Sequence, residues 1–174
     1  MRIAFTGPES SGKTTLSLWL ANELSGSTYV SEFARKYLEE RQLTRASEEE
    51  FKQIASIQCE RFTPSKESIY QIFDTDIFVL RIWNDEVFKL KLPELELNDS
   101  YSMDIHFLCT PDLIWEEDPL RSAPDQDHRD RLFLKYKTEL IHHQARFTIL
   151  EGNEIQKKEL ILQTIHKLNT SSLK

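Results

Sequence analysis

An open parallel sheet with helices on both faces is the fold class this sequence predicts. Two observations carry it. Five short apolar strand-like runs alternate with segments of helical period, the pattern of a parallel α/β layer structure. The 174 residues, 39% hydrophobic and 29% charged, have no internal repeat, low-complexity tract or composition break. That length suits one domain with a full core, taken as residues 1–174.

Ile3, Ala4 and Phe5 form the first buried-type strand, and Leu16, Trp19, Leu20 and Leu24 mark an amphipathic helix after it, with Trp19 on the core side. A second strand ends near Ser31 and leads into "EFARKYLEE". The stretch "TRASEEEFKQIASIQCERF" predicts a helix with Phe51, Ile54, Ala55 and Phe62 on one side and Ser47 as N-cap. "SIYQIFDTD" is a third strand ending in carboxylates, followed by a helix through Ile77, Leu80, Ile82, Trp83, Val87 and Phe88. "MDIHFLC" is the fourth strand. A helix through Leu132, Phe133, Tyr136 and Leu140 precedes the fifth, "RFTILEG", and a last helix runs from about Glu154 to Leu168. Lys157 and Lys158 are expected on its surface.

The net charge of −7 argues against a surface that wraps nucleic acid, while leaving room for a local basic pocket. No apolar run approaches the roughly 18–20 residues of a membrane span. Cys59 and Cys109 lack metal-ligand spacing and read as reduced thiols, so a cytoplasmic location is expected.

Function is most legible at "GPESSGKTTL". Gly7 to Thr14 fit G-x-x-x-x-G-K-[ST] between a strand and a helix, and two of the four glycines lie there. Such a loop turns successive N–H groups inward as an anion nest, and the helix N-terminus adds its positive end. Lys13 reaches the β- and γ-phosphates, and the Thr14 hydroxyl is placed for Mg²⁺. Gly7, Pro8, Glu9, Ser10, Ser11, Gly12, Lys13, Thr14 and Thr15 are thus the expected ATP-binding residues. N-K-x-D and D-x-x-G are absent, which favours ATP over GTP.

Ligands of open α/β sheets sit at the carboxyl ends of the strands. After strand two, Glu32 is placed to accept the proton of an attacking hydroxyl, with Arg35 one turn on. After strand three, Asp74 is the expected metal contact and Asp76 an acceptor contact, an N-cap being the alternative for Asp76. Residues 110–127 are too long and polar for a connector and predict a lid. Arg121 and Arg129 lie on or beside it, Arg121 placed to neutralise transferring charge and Arg129 to hold ATP. Trp83 and Trp115 are candidates for the acceptor pocket.

"GPESSGKTTL", "VSEFARKYLEE", "FDTDIFVLRIW", "LCTPDLIW" and "EEDPLR", in that order, together resemble the nicotinamide riboside kinase domain of NadR-type proteins. The resemblance runs through essentially the whole chain. It implies a P-loop kinase fold with sheet order 2-3-1-4-5, the use of ATP and Mg²⁺, and phosphorylation of the 5′-hydroxyl of nicotinamide riboside. Lys13, Thr14, Glu32, Arg35, Asp74, Asp76, Trp83, Trp115 and Arg121 match its motif positions. Ile114 departs from it, where the family pattern has proline. None of the five histidines stands in the H-x-G-H of the adenylyltransferase domain that family also carries, so the mononucleotide is the expected end product. A kinase for another nucleoside or nucleotide, and an ATP-binding regulatory module without turnover, are the competing readings. A sensor needs only the phosphate loop, whereas Glu32 with Asp74 and Asp76 favours a kinase.

Overall fold

The structure, a computed structural model, describes residues 1–113 and 125–171. Five parallel strands, β1 (Arg2–Thr6), β2 (Ser27–Val30), β3 (Tyr70–Phe73), β4 (Ile105–Cys109) and β5 (Phe147–Leu150), lie in the order β2-β3-β1-β4-β5. The helices between them are α1 (Lys13–Glu23), α2 (Phe33–Glu40), α3 (Glu48–Glu60), α4 (Ile77–Trp83), α5 (Gln126–His142) and α6 (Glu154–Ser171). Parallel neighbours need long crossovers, and here helices supply them.

Alternation along β1 divides the core. Ile3 and Phe5 face one side, where they pack with Leu16 and Leu20 of α1 and Ile161 and Ile165 of α6. Ala4 faces the other, packing with residues of α3, α4 and α5 that include Phe51, Phe78 and Tyr136. Register puts Ile3 beside both Ile72 and Ile105, so the two central neighbours of β1 continue the same apolar face. α2 packs on α3 through Ala34, Tyr37, Leu38 and Ile54. Ser47 caps α3 in a capping box with Glu50, as its sequence predicts.

Two details differ from expectation. The helix expected to reach Phe88 becomes a π-helix at Asn84–Phe88, because the Asn84 side chain both donates to Leu90 O and accepts from Leu90 N, and Lys89 ends the segment at φ 58°. Apolar periodicity does not register such a widened turn. Lys157, expected on the surface, is 2% exposed, with Nζ 2.5 Å from Asp112 Oδ1. The end of β4 brings Asp112 over the first turn of α6, a juxtaposition that sequence spacing cannot announce. Trp19 packs against the core as expected, half-buried, with Lys158 Nζ 5.0 Å from its ring centroid.

Candidate active site

The loop from Gly7 to Gly12 joins β1 to α1. Gly7 has φ 133°, and a Cβ there would sit 2.6 Å from the Cys109 carbonyl oxygen, so only glycine lets the loop pass the end of β4. Gly12 enters α1 in left-handed backbone (φ 85°), and α1 has neither a side-chain cap nor an acidic residue in its first turn. Its first amides are therefore available to an anion. Ser11 Oγ donates to Pro8 O at 2.8 Å and braces the loop. Lys13 Nζ donates to Gly7 O at 2.9 Å and Pro8 O at 2.8 Å, holding its charge over the same concavity.

A cleft of about 290 Å³ opens beside the loop. The loop, with Lys13, Thr14 and Thr15, forms one end. The start of α2 with Glu32 and Arg35, the α4–π segment with Trp83 and Glu86, and α5 with His128 and Tyr136 form the other. Each wall is a helix face whose remaining side chains enter the core. Trp83 packs edge-on to Phe51 at 4.9 Å, and Tyr136 is only 5% exposed.

Two carboxylates couple to Lys13: Glu32 lines the cleft, and Asp74 is buried behind the phosphate loop. Asp74, 3% exposed, accepts from Ser17 Oγ at 3.2 Å and Tyr29 OH at 3.1 Å. Burial pushes the Asp74 carboxyl above the ordinary carboxylate range, opposed by hydrogen bonding from Thr14 and the charge of Lys13. Glu32 is likewise raised, first by burial; Lys13 and Arg35 draw it down, while Asp74 and Glu9 push it up. Burial and the Asp74 charge lift the Tyr29 phenol to about 12, which leaves it a hydrogen-bond donor at neutral pH. Lys13 is thus the cation felt by both carboxylates.

Thr14 and Asp74 fit a magnesium ion. Mg²⁺ takes one or two protein oxygens beside phosphates and keeps several waters, and a desolvated carboxylate with a neighbouring hydroxyl suits that demand. Among the described residues no group of three or more His, Cys, Asp or Glu residues is arranged to hold a metal by itself.

Asp76 and Arg129 differ from their expected positions. Asp76, expected at the acceptor, is completely buried: Oδ1 caps α4 by accepting from Val79 N at 3.0 Å, and Oδ2 lies 2.8 Å from His106 Nδ1. It does not line the cleft, because the chain turns into α4 directly after Thr75. Arg129, expected at ATP, is 3% exposed and donates to Leu113 O at 3.3 Å and to Gln126 Oε1. Arg35 stands exposed on the cleft rim, 3.3 Å from Glu39 Oε1. Trp115, Arg121 and most of the expected lid lie outside the described residues. Sequence reasoning missed Glu86, Val87, His128, Leu132 and Tyr136. The last three recur at i, i+4 and i+8, a stripe that identifies one face of α5 although nothing in it says what the face meets.

Strand order and phosphate loop define a P-loop α/β fold, with a helix-walled cleft beside the loop. Residues 2–158 match the family described as AAA domain, and the chain belongs to that family. Solved structures agree on the fold. A NadR protein in complex with nicotinamide riboside (NR) aligns with 95% of this chain at TM-score 0.70 and 17% identity. A NadR protein in complex with NAD and AMP-PNP aligns at 0.69 and 16%. This chain spans about half the length of those two, 50% and 48% respectively. Deoxyadenosine kinase from M. mycoides, with the products dCMP and dCDP, aligns over 96% of this chain and 100% of its own at TM-score 0.64 and 17% identity. No curated protein matches the sequence.

Proposed function

We propose that this protein is an ATP-dependent kinase that phosphorylates the 5′-hydroxyl of nicotinamide riboside to the mononucleotide. The observation that supports the reading is that Glu32 and Lys13 share one cleft, Lys13 beside the Gly7–Gly12 loop and Glu32 at the start of α2. A nucleotide sensor has no use for that carboxylate. The aromatic faces of Trp83 and Tyr136, with Glu32 and Glu86 nearby, suit a flat cationic ring. The five resembling motifs support the same acceptor.

In this reading the amides of the Gly7–Gly12 loop and the start of α1 hold the β- and γ-phosphates. Lys13 exchanges its bonds to Gly7 O and Pro8 O for phosphate oxygens. Glu32 takes the proton of the 5′-hydroxyl as that oxygen bonds to the γ-phosphorus, and the bond from phosphorus to the β,γ-bridging oxygen breaks to leave ADP. Thr14, with Asp74 behind it, would hold Mg²⁺, which when bound neutralises charge on the β- and γ-phosphates. A lid over residues 110–127, delivering Arg121 and Trp115 within a single-domain protein, belongs to the same proposal.

The test is a panel of ribosides incubated with ATP and Mg²⁺ and read by product mass. Nicotinamide mononucleotide and ADP are expected from nicotinamide riboside. Dinucleotide and pyrophosphate would overturn the reading, and no phosphorylated riboside at all would return the choice to a nucleotide sensor.

A further inference from the structure

Glu32 occupies the N-cap position of α2 in extended backbone, yet its side chain makes no cap hydrogen bond. The first helical amide is satisfied from another element. Gln58 Oε1, near the end of α3, accepts from Phe33 N at 2.7 Å. On the other side of Glu32, Arg61 Nη1 donates to Ser31 O at 3.3 Å, and the Arg61 guanidinium lies 4.9 Å from the Phe33 ring centroid. Two residues of α3 and its C-terminal end therefore hold the peptide units before and after the cleft carboxylate.

Gln58 is an expensive way to fill that space. It is 1% exposed, and its Nε2 has no hydrogen-bond partner among the described residues. Burying an unpaired amide group is unfavourable, and an apolar side chain of the same volume would avoid it. What Gln58 supplies and Met cannot is an acceptor for the Phe33 amide. With that amide capped from α3, the Glu32 carboxylate is not needed at its own helix end and stays in the cleft with Lys13.

We propose that Gln58 and Arg61 are positioning residues that clamp the backbone on both sides of Glu32 and so aim its carboxylate at the acceptor hydroxyl. This rests on Glu32 serving the acceptor. The clamp is remote from the phosphate loop, so it acts on transfer and leaves ATP binding alone. It also assigns α3, which contributes nothing to the cleft lining, a part in the chemistry.

Two replacements at one position separate clamping from packing. Gln58→Met keeps the volume and removes the acceptor; Gln58→Glu keeps a carboxyl oxygen facing Phe33 N. With ATP, Mg²⁺ and nicotinamide riboside, Gln58→Met should lower kcat by roughly 10–100-fold, the scale of a misaimed catalytic group. ATP affinity by calorimetry should stay within about twofold, the change expected when a remote group is misaimed and nucleotide contacts survive. Gln58→Glu should recover most of the rate. A purely packing role predicts the reverse order, and Met turning over as fast as Glu or faster overturns the proposal. Arg61→Met, at a partly exposed site less prone to unfolding, should lower kcat in the same direction by about 3–10-fold. If Gln58→Met does not fold, an unchanged kcat for Arg61→Met overturns the clamp by itself. Glu32→Gln is run alongside: wild-type turnover there removes the acceptor role of Glu32, whereas lost turnover there with unaffected Gln58→Met removes only the clamp.

Discussion

At the proposed phosphate end of the cleft the lining among the described residues is one contiguous stretch, Gly7 to Thr15, which offers backbone amides and one ammonium. At the end proposed for the acceptor the walls come from α2, α4, the π segment and α5, with lining residues from Glu32 to Tyr136. The first end is local and its lining side chains carry little of the core. The second end is made of the exposed edges of core side chains, such as Ile82 at 3% and Tyr136 at 5% exposed. Substitutions at the two ends should therefore fail differently. The phosphate end should lose chemistry with stability intact, and truncating a core side chain at the acceptor end should lose both together.

The largest effect is expected where the two ends meet. Glu32→Gln should lower phosphoryl transfer roughly 10²–10⁴-fold while ATP affinity holds. It should also raise the melting temperature of the ligand-free protein at neutral pH. A carboxyl whose pKa is raised on folding binds its proton more tightly in the folded state, so its charged form costs stability above that pKa. The gain should shrink as pH falls through the carboxylate range, where wild-type Glu32 is protonated and the cost disappears. Lost ATP binding in calorimetry would move Glu32 to the nucleotide side of the comparison.

Lys13→Ala should reduce turnover by about 10²-fold or more, the scale of one lost transition-state charge contact. Its fold should stay intact, since among the described residues the ammonium hydrogen-bonds to the loop carbonyls Gly7 O and Pro8 O. Near-normal turnover in a coupled kinase assay would break the assignment of the phosphate end.

Asp76→Ala tests the opposite behaviour. It removes the α4 cap and leaves His106 without its buried partner, so a loss of about 3 kcal/mol in urea unfolding is expected. Because α4 carries Trp83, the acceptor KM should rise while ATP affinity is retained. Unchanged stability would mean that the capped α4 is not what holds the acceptor wall.

Trp83→Leu is the smallest. Loss of stacking on a cationic ring is worth about 1–2 kcal/mol. The KM for nicotinamide riboside should rise more than that for an uncharged nucleoside, measured side by side. Equal rises would leave Trp83 as packing against Phe51 and Phe88.

Asp74 and Asp76 show where sequence reading stops. Both follow an apolar strand, two residues apart, and both invite a functional role. Asp74 meets Ser17 and Tyr29 beside the phosphate loop, while Asp76 turns to His106 on β4 and the first amides of α4. The α4 cap, three residues on, is the local partner of Asp76, while Ser17 and Tyr29 for Asp74 and His106 and Thr6 for Asp76 lie 30 to 70 residues away. Lys157 is the same case: its position in α6 reads as surface, and only the arrival of Asp112 gives its buried ammonium a partner.

The sequence by itself determined the strand–helix alternation, the phosphate loop and the cap of α3, since each depends on residues within a few positions of one another. It also placed Glu32 at a strand end and so within reach of any ligand there. Tertiary structure alone decided which carboxylate faces the cleft, which face of α5 walls it, and that Gln58 rather than Glu32 caps α2. Those outcomes depend on the packing of helices onto a sheet, where side chains distant in sequence become neighbours and compete for the same few unsatisfied backbone groups.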